Sequence, residues 1–508
     1  MNTRKPNVLI LFTDMQRADT VHALGNEIIK TPHLDRIVKE GMAFTNCFSP
    51  SPVCVPARCC MQYGMYPQRT GLYDNGPMMD DNGASYPAVL GQNGYRTHAI
   101  GKCHFTPDRH ALRGFQSRQT QEECTANPDS DDYIAWLRNK GYDYYEAHGA
   151  RGEMYYIPQV STLAAEAHPS QWIGNESDKF IRESTTDDQP WCLFTSFIHP
   201  HPPFAPPKPW HKLYRAPDMP LPLTAGNNSE LATWVNRLQN RYKYRDRGID
   251  MNLLRVIKAY YYATISFVDY QIGRILGALE ETGQLDDTLI MFTSDHGEHL
   301  GDFGCFGKRS MHDASVRVPM LIRYPSRFPA GQQCSVSTSL CDVFPTILGA
   351  SGISPKGLCL DGRDLIEIAR EPDQTRTVYS QFKSKDKAIY MAVNTCWKYV
   401  YSAGDRAEFF FDRQTDPAET DNLATATELN DAGKELKQNL LRYLESCGMT
   451  EAYVEQNESL EWREYPRFDE GYLNDPDANL LVQDYPSYPM NLPGYATEPE
   501  HPDGDATR

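Results

Sequence analysis

The sequence predicts an α/β protein. It is expected to hold a large, mixed but mostly parallel sheet sandwiched by helices, with a smaller antiparallel-sheet domain after it. Three stretches carry that expectation. Val8-Leu9-Ile10-Leu11-Phe12-Thr13 is a continuous apolar run, the pattern of a strand covered on both faces. Residues 249–279 place Leu253, Ile257, Tyr261, Ile265, Val268, Ile272, Ile275 and Leu279 three or four apart, as one face of a long helix does. Past Ser351 the apolar runs shorten and recur at regular intervals, which suits a small antiparallel sheet.

Taken in order, the first strand at 8–13 runs straight into Asp14, at the carboxyl edge where open α/β sheets place their sites. Thr31-Pro32-His33-Leu34-Asp35 opens a helix that reaches Glu40, with proline and an acid in its first turn. Residues 47–56 read as a loop leading into Cys54-Val55-Pro56-Ala57-Arg58 and the helical run behind it. Residues 88–95 form a short helix closed by Gly94, and 97–101 a strand that ends in Lys102-Cys103-His104. From 106 to 184 the chain is polar, aromatic and irregular, so insertions around a substrate mouth are expected. A strand at 191–198 gives way to His199-Pro200-His201-Pro202-Pro203-Phe204, too rich in proline to continue strand or helix.

After the long helix, Asp286-Asp287 introduces a strand at 288–293 that ends at Asp295-His296-Gly297. Glycine-rich loops reach Lys308, residues 317–324 are a further strand and 339–348 a helix. Short strands at 376–382, 388–393, 398–402 and 408–412 precede an amphipathic helix at 425–444. The segment beyond Leu460 is rich in Pro, Tyr, Asp and Glu, an arm over the body or partly disordered. The boundaries expected are 1–370, 371–460 and 461–508.

The chain of 508 residues carries 67 acidic against 50 basic side chains, a net charge of −17. That balance argues against nucleic acid or an anionic membrane as partner. An anionic substrate must therefore meet a local cationic pocket. No run of 18 apolar residues marks a membrane span. The basic start, 1–6, is followed by only six apolar residues, which read as a core strand rather than a leader. The thirteen cysteines show no Cys-x-x-Cys spacing, so free thiols and a cytoplasmic location are expected.

Chemistry concentrates in few places. Cys54 begins a helix with Pro56 in its first turn and Arg58 one turn on. Free N–H groups and a fixed cation there suit an anion. Asp14, Asp295 and His296 leave the ends of separate strands and can meet at one point. Carboxylate oxygens suit a hard divalent cation such as Ca²⁺.

Cys54-x-Pro56-x-Arg58, with Gly64, Pro67 and Gly71 beyond it, resembles the signature of type I sulfatases of the alkaline phosphatase superfamily. Gly101-Lys102-Cys103-His104 is similar to the family's Gly-Lys-Trp-His, and Pro200-His201-Pro202-Pro203-Phe204 to its Pro-His-x-Pro-Phe. Gly307-Lys308 matches the lysine beyond the family's Asp-His-Gly loop. The resemblance also covers 7–16, 31–44, 261–279, 287–325 and 342–348, and reaches the small domain at Lys398-Tyr399, Phe411-Asp412, Asp416-Pro417 and Asn422-Leu423-Ala424. One departure is Gln62-Tyr63-Gly64, where the family has Leu-Thr-Gly.

The resemblance implies an alkaline-phosphatase-like fold and a sulfuric ester hydrolase. A separate maturation enzyme would oxidise Cys54 to formylglycine, whose hydrate is the nucleophile. Asp14, Asp295, His296 and the Cys54-derived group would hold the metal, Ca²⁺ first, with His296 leaving room for Mn²⁺. Met15 stands where a further oxygen ligand is usual and a thioether is a poor ligand for Ca²⁺, so Gln16 is a candidate to replace it. Lys102 would bind hydrate and sulfate oxygens, and His104 would take a proton from the covalent intermediate so that sulfate leaves. His201, or Lys308, would protonate the leaving alcohol, with Arg58 as the fixed cation. His199 is either a loop histidine or a substrate contact, His299 and His312 are candidate substrate contacts, and Asp313 is given no catalytic role.

The expected substrate is a sulfated small molecule or oligosaccharide, with Tyr142, Tyr144, Tyr145, Tyr155 and Tyr156 available to stack on sugar rings. A homo-oligomer is left open. The nearest rival is a phosphonate monoester or phosphodiester hydrolase of the same superfamily. The other is a non-catalytic binding protein on this fold, against which Cys54, Arg58, Lys102, His104 and Lys308 speak.

Overall fold

The computed structural model describes residues 5–123, 130–142, 147–151, 155–226, 228–240, 250–424, 429–457 and 459–471, with the backbone of 490–492 and 495–497. Eight strands make the main sheet: β1 (Asn7–Thr13), β2 (Met42–Phe44), β3 (Arg96–Gly101), β4 (Ser117–Thr120), β5 (Trp191–Ser196), β6 (Thr288–Ser294), β7 (Met320–Arg323) and β8 (Gln332–Cys334). Their spatial order is β8-β2-β7-β6-β1-β5-β3-β4. Only β7 runs antiparallel to its neighbours β2 and β6; the other adjacent pairs are parallel. The sheet is mixed and mostly parallel, as expected.

All seven residues of β1 are buried, because helices cover both faces of the sheet. The main helices are α1 (Pro32–Glu40), α2 (Cys54–Tyr63), α3 (Pro169–Glu183), α4 (Met251–Glu281), α5 (Val343–Ser351) and α6 (Asp431–Ser446). Alternation along β1 divides the core. Val8, Ile10 and Phe12 pack with Val55, Ala57 and Met61 of α2 and with Phe344 and Ile347 of α5. Leu9 and Leu11 join the other layer, with Ile37 of α1, Trp172 and Ile173 of α3, and Ile272 and Ile275 of α4. Each such side chain contributes about 1.5–3 kcal/mol on burial.

Two expectations need correction. The 106–184 region is not merely irregular: it supplies edge strand β4, a helix at Asp132–Asn139 and the 15-residue α3. The inner face of α3 includes Ser170, Gly174 and Ser177 beside Ile173 and Ile181. These small residues hide the apolar period, and α3 meets α4 closely enough that a Cβ on Gly174 would lie 2.5 Å from Gln271 Oε1. The expected strand at 317–324 is two strands, because Pro319 cannot donate to a ladder. Arg317–Val318 pairs with Cys47–Phe48, a short strand inside the expected loop, while β7 joins the main sheet.

The second sheet is β9 (Val378–Phe382), β10 (Ile389–Val393), β11 (Trp397–Ser402) and β12 (Ala407–Asp412), antiparallel throughout. One face, with Tyr390 and Tyr399, packs under Leu436, Leu440 and Leu444 of α6. The other, with Ile389, Met391 and Val400, packs on Phe48, Val53 and Cys60 of the main body. The helix expected from 425 begins at Asp431, where the Asn430 side chain accepts from Gly433 N; residues 425–428 lie outside the described residues. Most of the expected arm also lies outside them, although Leu460 and Trp462 belong to a strand, Ser459–Trp462. Every described cysteine is a free thiol. Among the described residues no helix is long and apolar enough to cross a membrane.

A buried ion cluster ties the two sheets together. Lys398 on β11 donates to Met311 O at 3.0 Å and pairs with Asp313 and Glu419. Asp313 also takes Arg317 at 2.8 Å and Arg413 at 3.1 Å. Removing one member of such a buried set strands the others, at a cost of about 3–5 kcal/mol. Lys398→Met is expected to lose stability on that scale in urea unfolding; a midpoint equal to wild type refutes the role given to the cluster.

Candidate active site

Four adjacent strands of the main sheet, β6, β1, β5 and β3, end on the same side. Their carboxyl ends carry Asp295 and His296, Asp14, the His199–Phe204 loop with His201, and Lys102 with His104. Parallel pairing thus gathers residues that lie up to about three hundred positions apart in sequence. Helix α2 brings Cys54 beneath them, with Val53 extended at its N-cap and all ten helical residues buried.

The groups meet closely. Cys54 Sγ lies 3.7 Å from Asp14 Oδ1, 3.3 Å from His296 Nε2 and 2.8 Å from Lys308 Nζ. Arg58 Nε donates to Asp295 Oδ2 at 3.0 Å and Nη2 to Asp14 Oδ2 at 3.2 Å. Its Nη1 holds Lys102 O at 2.6 Å, and its plane lies over the Phe12 ring. Lys102 Nζ reaches Asp14 Oδ2 at 2.6 Å. His296 Nδ1 lies 3.0 Å from Gly297 O; donating there leaves the Nε2 lone pair facing the carboxylates. Glycine is required at 297, since a Cβ would sit 2.1 Å from Ala314 O.

Met15 and His104 have φ of 64° and 55°, a left-handed backbone that other residues seldom adopt outside functional turns. The turns are held by Asp295 Oδ1, which accepts from Met15 N at 3.1 Å, and by Glu122, which accepts from His104 N at 3.2 Å.

Charge is finely opposed here. Burial alone would raise the Asp14 carboxyl, but Lys102, His201, Lys308 and Arg58 outweigh it and hold it well below the usual range. Burial and the neighbouring Asp14 push Asp295 up to about 6. Burial, with Asp14 beside it, pushes the Cys54 thiol up to about 11, so the unmodified thiol is a poor nucleophile. Burial takes His201 down to about 3 despite Glu123 and Asp14. His104 is driven well down, by burial and then by Lys102. Lys102 stays charged: burial is outweighed by Asp14 and Glu123.

A cleft opens over Cys54, His104, His201 and Lys308, with Asn75, Tyr155 and Arg309 further out. The residues expected to act in catalysis or hold the metal come together, Gln16 excepted. Gln16 is buried, yet its Nε2 donates to Thr20 and no hydrogen bond joins its side chain to the carboxylates. Met15 itself lines the cleft. His199, His299 and His312 are buried on Ser170, Ser310 and Leu231 O and do not line it. Tyr155 OH stands 3.5 Å from His201 Nε2, whereas Tyr156 OH donates to Glu298. Tyr142 packs against the core, and Tyr144 and Tyr145 lie outside the described residues.

Sequence reasoning missed Glu123. Its Oε2 accepts from Lys102 Nζ at 2.7 Å, and its Oε1 lies 3.1 Å from Arg151 Nη1 and 3.5 Å from His201 Nδ1. The signal was its place just past the carboxyl end of β4, a strand in the region read as irregular.

The sulfatase family model matches residues 6–353. The chain belongs to the sulfatase family. A model described as N-sulphoglucosamine sulphohydrolase, C-terminal, matches residues 301–446. An arylsulfatase of Clostridium perfringens is 30% identical, over 90% of this chain and 97% of its own. A choline-sulfatase of Rhizobium meliloti is 31% identical, over 84% and 83%. An N-acetylglucosamine-6-O-sulfatase of Bacteroides thetaiotaomicron is 25% identical, over 86% of each chain. A phosphonate monoester hydrolase of Agrobacterium radiobacter superposes with a TM-score of 0.75 at 27% identity, covering 91% of this chain and 100% of its own.

Family membership implies a divalent metal, and the residues fit one. One ligand atom each from Asp14, Cys54, Asp295 and His296 lies within 4.8 Å of the others, and all four residues are buried. A cation between Asp14 and Asp295 would relieve the repulsion that raises Asp295. Asp295→Ala is expected to weaken divalent metal binding at least about tenfold in titrations of chelator-treated protein. Unchanged affinity would remove Asp295 from the ligand set.

Proposed function

We propose that the protein hydrolyses a sulfate monoester on a carbohydrate, with Cys54 matured to formylglycine and a divalent cation, Ca²⁺ first, held by Asp14, Asp295 and His296. The observation that carries this reading is the convergence of Cys54, the two carboxylates and three cationic side chains on one buried point beneath a cleft. A separate maturation enzyme supplies the aldehyde at position 54.

The cation, when bound, polarises the nucleophile and offsets the charge of the sulfate. The chain's own groups do the rest. Arg58 keeps Asp14 and Asp295 facing inward through its two hydrogen bonds. Lys308, 2.8 Å from the Cys54 sulfur, and Lys102 offer fixed positive charge where charge develops in the transition state. His201 points Nδ1 at Pro202 O, 2.7 Å away, which leaves Nε2 toward the cleft. It is neutral in the free site because burial lowers it to about 3. A sulfate ester beside it raises its affinity for a proton, which Nε2 then gives to the departing alcohol oxygen. His104, buried and neutral, is the base that takes a proton from the residue-54 group in the second half of the reaction.

The carbohydrate assignment is supported by the N-acetylglucosamine-6-O-sulfatase relative and by an aromatic side chain, Tyr155, on the cleft wall. A second reading, hydrolysis of phosphonate monoesters, is favoured by the Agrobacterium radiobacter structure.

Protein produced with a maturation enzyme is expected to carry an aldehyde at position 54 in peptide mass mapping. Cys54→Ala should show no turnover of p-nitrophenyl sulfate; undiminished turnover defeats the reading. His104→Ala is expected to slow turnover roughly 10²–10⁴-fold, the usual worth of a positioned base. Faster hydrolysis of a phenyl phosphonate monoester than of the sulfate, by orders of magnitude, would favour the second reading.

A further inference from the structure

The loop that carries Lys308 also carries a second cation. Arg309 follows it with φ at 82°, a reversal that sends consecutive side chains in different directions. Lys308 reaches the Cys54 sulfur, while Arg309 is half-buried on the wall of the same cleft. Gln239 steadies both: its Nε2 donates to Lys308 O at 2.6 Å, and its Oε1 accepts from Arg309 Nη1 at 3.3 Å.

Arg309 differs from the other cations near the site: Lys308 is taken up by Cys54 Sγ at 2.8 Å and His296 Nε2 at 3.1 Å. Arg58 and Lys102 are each paired with carboxylates, as is Arg17 behind them with Asp19 and Asp302. Glu123, the one carboxylate among the described residues of the cleft wall, is already engaged by Lys102 and Arg151. Among the described residues no carboxylate pairs with Arg309, and that one 3.3 Å contact is its side chain's hydrogen bond. Acidic groups outnumber basic ones by 67 to 50, yet none of the described carboxylates takes this half-buried guanidinium, whose fork is open to a ligand. A guanidinium offers two parallel N–H groups that match a carboxylate or a sulfate. The net charge of −17 repels anions at a distance, so extra negative charge on a substrate has to be recognised locally.

Building on the sulfatase reading above, we infer that Arg309 is a specificity residue that binds a second anionic group, a uronate carboxylate or a further sulfate, on the sulfated sugar. The preferred substrates are therefore sugars with at least two negative charges.

Binding is tested without turnover in the Cys54→Ala protein by calorimetry. The probes are N-acetylglucosamine 6-sulfate, a disaccharide joining that sugar to a uronic acid, and a disulfated glucosamine. At least one two-charge probe is expected to bind about tenfold tighter than the first, and which one identifies the second anion. Adding Arg309→Gln should abolish that preference, and Arg309→Lys should restore part of it. No preference, or a preference that survives Arg309→Gln in protein with an unchanged Tm, overturns the inference. Turnover by the matured wild-type enzyme separates the two levels. Failure to cleave any sulfate ester removes the sulfatase reading; sulfate cleavage with a selectivity indifferent to Arg309 removes only this inference.

Discussion

Two buried carboxylates at the ends of neighbouring strands impose the terms on which the rest of the site is built. Asp14 and Asp295 lie at the ends of β1 and β6, which pair in parallel register, and both are wholly buried. Left alone they would repel each other in a medium that screens poorly. Arg58 spans them with two hydrogen bonds, Lys102 adds a third contact on Asp14, and the imidazole of His296 closes the ring. This explains why a helix with every residue buried can carry an arginine. Arg58 is paid for by the carboxylates it holds, and by the Lys102 and Ser196 oxygens it donates to.

The site is reached from both halves of the molecule. The segment 307–313 carries Lys308 on one end and Asp313 on the other, and Asp313 is gripped by Lys398 from the second sheet. Within the same segment Met311 gives its carbonyl to Lys398, and Gln239 holds the Lys308 carbonyl. The Lys398-Tyr399 motif of the second sheet therefore has a physical role. It anchors the far end of the loop whose near end presents a cation to residue 54.

Much of the plan was legible because burial leaves a mark on residue order. The continuous apolar run of β1, the repeat in α4 and the short, regularly spaced strands of the second sheet each announced themselves. The chemistry was legible where rigid strand ends carry it: Asp14, Lys102, Asp295 and His296 sit at the ends of strands that could be read. Glu123 was hidden because β4 is a polar edge strand, Ser-Arg-Gln-Thr, with nothing apolar to mark it. Helix α3 was hidden because small residues stand on its inner face, Gly174 close against Gln271 of α4 and Ser177 bonded to Thr195 of β5, in place of an apolar period. Gln16 drew attention by position alone, and the turn at Met15 sends its amide to Thr20.

The sequence by itself determined most of the strands and helices, β4 and α3 excepted, and the reactive side chains at their ends other than Glu123, because burial and turn geometry act over a few residues. Only the tertiary structure decided who meets whom. Strand order sets β6, β1, β5 and β3 side by side, and that order is chosen by long-range packing of two helical layers. The pairing of Lys102 with Glu123 and the setting of Arg309 on Gln239 follow from that packing, since both depend on distances that no local pattern encodes.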